Sequence, residues 1–316
     1  MKRSVLALLA AVLVLAGCQA QPAPTTAPPA TTTTTVAPTT TTAAPSTTAK
    51  PTTTVAPTIT AKPTTTTTTL VAVHWPNATT TGVPAGTVLK ASGSVTVTKA
   101  GTVLDGLDVT GCVSVQASDV TIRRSRIRGG SCFSVIDIQS WTGNLPKRLL
   151  VEDVEVDGQG KADNCIAFSD YTARRVNAKG CADGGKIGDN TTWDASYIHA
   201  LAVTSSCHCD GLQSTDGGPT TITGTNIDVP GAGSSIMLGD EFGRLGAIVI
   251  RNSRLNGGNF ELYGGANQST GTHPSSMSVT GSVFGPSRTY GTHAYVWSGT
   301  TWSGNTDEKT GLPVNR

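Results

Sequence analysis

From Ala100 to Lys309 one short pattern keeps returning: two or three β-formers, a polar pair, a small residue, one more apolar position, then Gly or a turn. It reads Asp119-Val-Thr-Ile-Arg-Arg-Ser-Arg-Ile-Arg-Gly129, and again Arg148-Leu-Leu-Val-Glu-Asp-Val-Glu-Val-Asp-Gly158. Further copies run over Asp170–Gly180, Asn190–Ala200, Pro219–Val229, Ala247–Gly257 and Ser276–Pro286, with weaker ones at Ala100–Gly111 and Gly299–Lys309. The clear copies start at 119, 148, 170, 190, 219, 247 and 276, so the step is 20 to 29 residues. A repeat of that length made of β-formers and turns cannot bury its own apolar face, so copies must stack. The expected fold is all-β: a right-handed parallel β-helix of about eight to nine coils, one coil per repeat.

The amino end is of a different kind. Met1-Lys-Arg is a positive n-region, and Ser4 to Leu15 is an apolar h-region too short for an ordinary membrane span. Leu15-Ala16-Gly17-Cys18 resembles the lipobox of bacterial lipoproteins. The resemblance implies a signal peptide over 1–17, cleavage before Cys18, and a lipidated Cys18. Residues 18–70 are almost only Thr, Pro, Ala and Val, which cannot bury a core. They are expected to form a disordered stalk reaching on the order of 150 Å. The organisation that follows is signal peptide, stalk, and one folded domain over 71–316. The expected location is the extracellular face of a bacterial cell membrane, with the lipid as anchor.

Composition narrows the partners. Charged residues are only 14%, Gly is abundant at 36, and net charge is +2. No basic stripe with interleaved aromatics is present, so nucleic acid is not an expected partner. A capped solenoid can stand as a monomer. With Cys18 lipidated, Cys112, Cys132, Cys165, Cys181, Cys207 and Cys209 remain. An even number outside the cytoplasm suggests disulfides, whose fifteen possible pairings spacing cannot choose between. Cys112 and Cys132 lie one coil apart, which suits an inter-coil bridge. Zinc at Cys207-His208-Cys209 is the alternative, although the one-residue gap is shorter than usual.

A second short strand follows each repeat. Cys181-Ala-Asp-Gly-Gly-Lys-Ile-Gly-Asp189 aligns with Cys207-His-Cys-Asp-Gly-Leu-Gln-Ser-Thr-Asp216, then with Gly233–Glu241 and Asn259–Gly264. Stacked in that way, Leu212, Ile236 and Phe260 share an inward column, and so do Ile187, Ser214, Leu238 and Leu262. The outward column between them reads Lys186, Gln213, Met237, Glu261. Asp183 and Asp210 stand at its start, Asp189, Asp216 and Asp240 at its end, and His208, Glu241 and Tyr263 beside it. This is a polar stripe rich in carboxylates.

The repeat Val-Thr-Ile-Arg-x-Ser-x-Ile, the stretches His208-Cys-Asp-Gly-Leu-Gln213 and Gly239-Asp-Glu-Phe-Gly243, and the ending Trp302-Ser-Gly-Asn-Thr-Asp-Glu-Lys-Thr-Gly311 carry a family resemblance. Over about Gly86 to Val314 the chain is similar to the pectin-lyase-like superfamily of right-handed β-helices, in its secreted actinobacterial form. That resemblance implies the fold and a polysaccharide or cell-wall glycan as partner. It does not choose an activity, because one fold hosts many. The calcium and arginine motifs of pectate lyases are absent, as is the polygalacturonase set of Asn-Thr-Asp, Asp-Asp, Gly-His-Gly and Arg-x-Lys.

Two chemistries suit the stripe. A lyase needs a base, Lys186 or His208, and positive charge or calcium for the enolate; Asp183, Asp210 and Asp240 could hold calcium. A glycoside hydrolase needs two carboxylates, drawn from Asp183, Asp210, Asp240 and Glu241. Gln213, Glu261 and Tyr263 are the candidates for gripping the glycan. The alternatives are a module that binds glycan or wall polymer without turnover, and a structural spacer.

Overall fold

The computed structural model describes residues 74–138, 145–267 and 269–316. The expected signal peptide, Cys18 and the expected stalk lie outside them. Every named strand pairs in parallel, and no helix occurs among the described residues. The chain winds as a right-handed parallel β-helix of eight full turns, with a two-strand partial turn at each end. Each turn has three faces. The first is a nine-stranded ladder from Val103–Asp105 to Thr301–Ser303. The second runs from Lys90–Ser92 to Thr306–Asp307, and the third from Val95–Val97 to Arg288–Ala294. The second and third merge where two long strands, Glu155–Ala167 and Asn177–Lys186, pass from one into the other.

The repeat explains the interior. In the first ladder one inward column stacks Leu104, Ile122, Val151, Ala173, Trp193, Ile222, Ile250, Val279 and Trp302. In the second, Val109, Ile127, Val156, Ala178, Ile198, Ile227, Leu255 and Phe284 stack likewise. Together with the third face they form one continuous apolar core.

The polar pair and the small residue make the corner between the first two faces. The second residue of the pair takes the left-handed conformation: Arg124, Asp153, Arg175, Ala195 and Asn252 have φ between 46° and 58°. Glycine fills the same corner at 106, 224, 281 and 304. The small residue that follows turns inward, and its hydroxyl joins one coil to the next. Ser253 Oγ accepts from Thr225 N at 3.2 Å and donates to Arg251 O at 2.9 Å. Ser282 Oγ accepts from Ser253 N, and Asn305 Oδ1 from Ser282 N. Ser196 serves Val176 N in the same way at 3.0 Å. Outside the corner, arginines clamp carboxylates of the preceding turn: Arg124 on Asp105, Arg175 on Asp153 and Glu152.

The chain departs from the repeat at both ends. Before the first strand, residues 74–88 run along the outside, where Pro76 O accepts from Asn226 of the sixth turn at 2.9 Å. Gly82 N donates to Arg175 O of the fourth turn at 2.8 Å, and the chain then enters the first partial turn. At the other end Trp302 stacks on Phe284 and donates to Val314 O at 2.6 Å. The bridge between Cys112 and Cys132 is present, and Cys165 pairs with Cys181 across neighbouring turns. Cys207 pairs with Cys209, which leaves no thiolate there for zinc.

Ser253→Ala removes a buried hydroxyl and leaves Thr225 N without its acceptor. The expected cost is about 1–3 kcal/mol. It would be read as a lower denaturation midpoint with an unchanged denaturant slope.

Candidate functional site

The third face of the fourth and fifth turns gathers the polar groups. Gly185 pairs with Leu212 and Lys186 with Gln213, and the same register sets Asp183 beside Asp210. Four side chains then close a ring. Lys186 Nζ donates to Asp183 Oδ2 at 2.5 Å and to Gln213 Oε1. Gln213 Nε2 donates to Asp210 Oδ2 at 3.1 Å, and the Asp210 backbone N–H to Asp183 Oδ1 at 2.7 Å.

The floor under the ring is built from two large side chains. Tyr171 and Trp193 are wholly buried and meet edge to face. Trp193 Nε1 donates to Tyr171 Oη at 2.9 Å, and Tyr171 donates to the Lys186 carbonyl at 2.7 Å. Gly185 makes room for them, since a Cβ there would lie 2.7 Å from Trp193. Lys186 is thus held from below by a hydrogen-bonded core pair.

Burial sets the charges. Asp183 and Asp210 are only 6% and 4% exposed. Burial pushes the Asp210 carboxyl up to about 8; the neighbouring Asp183 adds to this and Lys186 opposes it. Burial also raises Asp183, with the Lys186 ammonium pulling back through charge and hydrogen bond. The pair is therefore unequal: Asp210 holds a proton at neutral pH, and Asp183 holds the ammonium.

Two clefts share Lys186. One, of about 310 Å³, is lined by Phe133, Asp163, Asn164, Asp183 and His208 among others. The second, of about 170 Å³, includes Phe168, Gln213, Asp216 and Phe242. Phe133 is 57% and Phe242 83% exposed. The charged lining is Lys186 against Asp163, Asp183 and Asp216, with Asp210 beneath.

The remaining sequence candidates are dispersed around this centre. His208 is exposed on the disulfide loop and lines the larger cleft. Tyr263 stands two turns on in the row of Gln213 and Met237, and meets Tyr295 edge to face at 5.2 Å. Glu241 is exposed near Tyr263, whose hydroxyl is raised first by burial and further by the Glu241 charge. Asp240 accepts from Asn267 Nδ2 at 2.9 Å, away from Asp183 and Asp210. Among the described residues no three His, Cys, Asp or Glu side chains are grouped to hold a metal ion, so the calcium set Asp183, Asp210 and Asp240 is not assembled.

Glu261 requires a correction. The seventh turn is shifted by two residues from the expected stacking. Ser234 pairs with Phe260, Ile236 with Leu262 and Met237 with Tyr263. Tyr263, not Glu261, continues the outward column, and Leu262, not Phe260, continues that of Leu212 and Ile236. Glu261 is fully buried in the row of Gly211 and Ser235. There it faces Arg288 at 3.4 Å, and Arg288 also pairs with Asp307. Burial pushes Glu261 up to about 8 against the pull of Arg288. It serves the carboxyl-terminal interior, not the site.

Asp163, Asn164, Phe133 and Phe242 were not among the sequence candidates. Asn164 lies in the row of Asp183 by strand pairing. A signal existed in Asp163-Asn-Cys-Ile166, which aligns with the later Asp-Gly strands once the turn at Gln159-Gly160 is recognised. No protein-family model matches the chain, and no curated protein is significantly similar to it.

Asp210 gives stability a pH dependence. Its unfolded carboxyl ionises near the ordinary value of about 3.9, the folded one near 8. Between these values the folded chain binds more protons than the unfolded, so stability falls as pH rises. Asp210→Asn is expected to flatten denaturation midpoints across that window. Glu261 contributes a slope of the same sign, which Glu261→Gln removes in turn.

Proposed function

We propose that this protein is a glycoside hydrolase acting on a polysaccharide that lacks carboxylates. Asp210 is the proton donor and Asp183 the ionised partner. The observation that supports the reading is the unequal buried pair in a ring with Lys186 and Gln213; Asp183 lines one of two clefts with exposed aromatic rings, and Asp210 lies behind it. Neighbouring strands of a sheet stand about 4.8 Å apart, near the 5–5.5 Å of retaining enzymes, so the anomeric configuration is retained. A lyase for uronate polymers is disfavoured by the acidic lining, which repels such a substrate and offers the enolate one lysine already engaged by Asp183.

The chain fits the pectin-lyase-like superfamily in this reading, as an actinobacterial surface lipoprotein. Residues 1–17 are the signal peptide, 18–70 the stalk, and 71–316 the folded domain, acting as a monomer. Lipidated Cys18 holds it at the outer face of the cell membrane. A second reading, glycan binding without turnover, is favoured by the depth of the two carboxyls and by the full engagement of Asp183.

The test is incubation of the purified protein with neutral, amino and uronate polysaccharides, following reducing ends and unsaturated-uronate absorbance together. Reducing ends without that absorbance are expected, with retained anomeric configuration by NMR. Asp210→Asn is expected to lower turnover by roughly 10²–10⁴-fold while binding persists. Binding without reducing ends from any polymer decides for the second reading.

A further inference from the structure

The larger cleft carries a carboxylate that the described residues leave without a donor. Asp163 is exposed there, and among the described residues no cation or side-chain donor pairs with it. Asn164 beside it, 1% exposed, donates its amide to Ser134 Oγ at 3.3 Å, while its Oδ1, itself closed to solvent, has no partner among the described residues. The one cation of the cleft, Lys186, is taken up by Asp183 and Gln213. Beside these acceptors lies the open ring of Phe133, with Phe168 at 6.4 Å.

Apart from Lys186, which Asp183 and Gln213 engage, and the exposed imidazole of His208, the side chains of this lining offer acceptors and an aromatic ring. A carboxylate in a partly enclosed cleft is satisfied best by a charge-assisted hydrogen bond. An aromatic face beside it favours a cation or the apolar face of a sugar ring. One ligand class supplies both at the right size: a hexosamine ring with a free, protonated amine. Resting on the reading of this face as a glycan site, we infer that the cleft of Phe133, Asp163 and Asn164 recognises a protonated amino sugar. The substrate class is then a polysaccharide of N-deacetylated hexosamine. The net charge of the chain is +2, so a polycation is not drawn to the protein as a whole.

The experiment is calorimetric titration of the full-length protein with linear tetramers of glucosamine, N-acetylglucosamine and glucose. The glucosamine tetramer is expected to bind most tightly. Asp163→Asn should weaken it by roughly tenfold and leave the glucose tetramer unchanged. Phe133→Ala should weaken all three. Asp119→Asn makes the same charge change on an exposed carboxylate outside the cleft, and is expected to leave every affinity unchanged. Equal affinities for amine and glucose tetramers, or an equal loss from Asp119→Asn, would overturn the proposal. Binding is read apart from turnover, so the two readings fail separately. Cleavage of neutral glycans with no amine preference overturns this inference and leaves the hydrolase standing. Amine-selective binding with no cleavage supports the inference and overturns the hydrolase.

Discussion

Stacking at the strand spacing governs this molecule. Backbone hydrogen bonds along each ladder run to the turn above or below, so a side chain is repeated about 4.8 Å away by its equivalent in the next turn. A column must therefore suit itself. Aliphatic residues do so by packing, which is why Val151 can follow Ile122, and Ile250 and Val279 can follow Ile222. Hydroxyls do so by donating within their own turn and accepting from the turn before, as Ser196, Ser253 and Ser282 do. Charges do so only by alternation, as where Arg124 meets Asp105 and Arg175 meets Asp153.

Buried acids are the exception to that rule, and two groups of them reach different solutions. Glu261 lies in the interior near the carboxyl end and faces Arg288, which Asp307 shares. Its partners come from its own end of the helix, and no cleft opens onto it among those described here. Asp183 and Asp210 stack directly on one another, where like charges at that distance cannot both persist without a counter-ion. Lys186 supplies the counter-ion to one, and the proton stays on the other. This arrangement has two clefts beside it. A column that served packing alone would be met by amides or hydroxyls, as it is at Asn164 and Ser234 in the same row.

The interior contributes to the site as much as the surface does. Gly185 interrupts the aliphatic column of the third face, and the space passes to Trp193 and Tyr171 from the first. Their hydrogen bonds end on the Lys186 carbonyl. The backbone from which Lys186 projects is thereby fixed by a chain of contacts that begins in the core and crosses two turns.

The fold class was legible in the chain because a repeat of β-formers and corners leaves stacking as its only way to bury apolar surface. The Cys112–Cys132 bridge was legible for the same reason, being set by position between neighbouring repeats. Asp183, Lys186, Asp210 and Gln213 were visible as a stripe, since two adjacent strands share an Asp-Gly pair that fixes their register. Glu261 and Tyr263 were not separable, because a two-residue slip preserves the alternation of inward and outward positions and leaves the pattern unchanged. Only the tertiary structure decided that register, through the pairing of Phe260 with Ser234. It also decided the burial that separates Asp210 from Asp183, because desolvation belongs to the stacked turns and not to any residue in the chain.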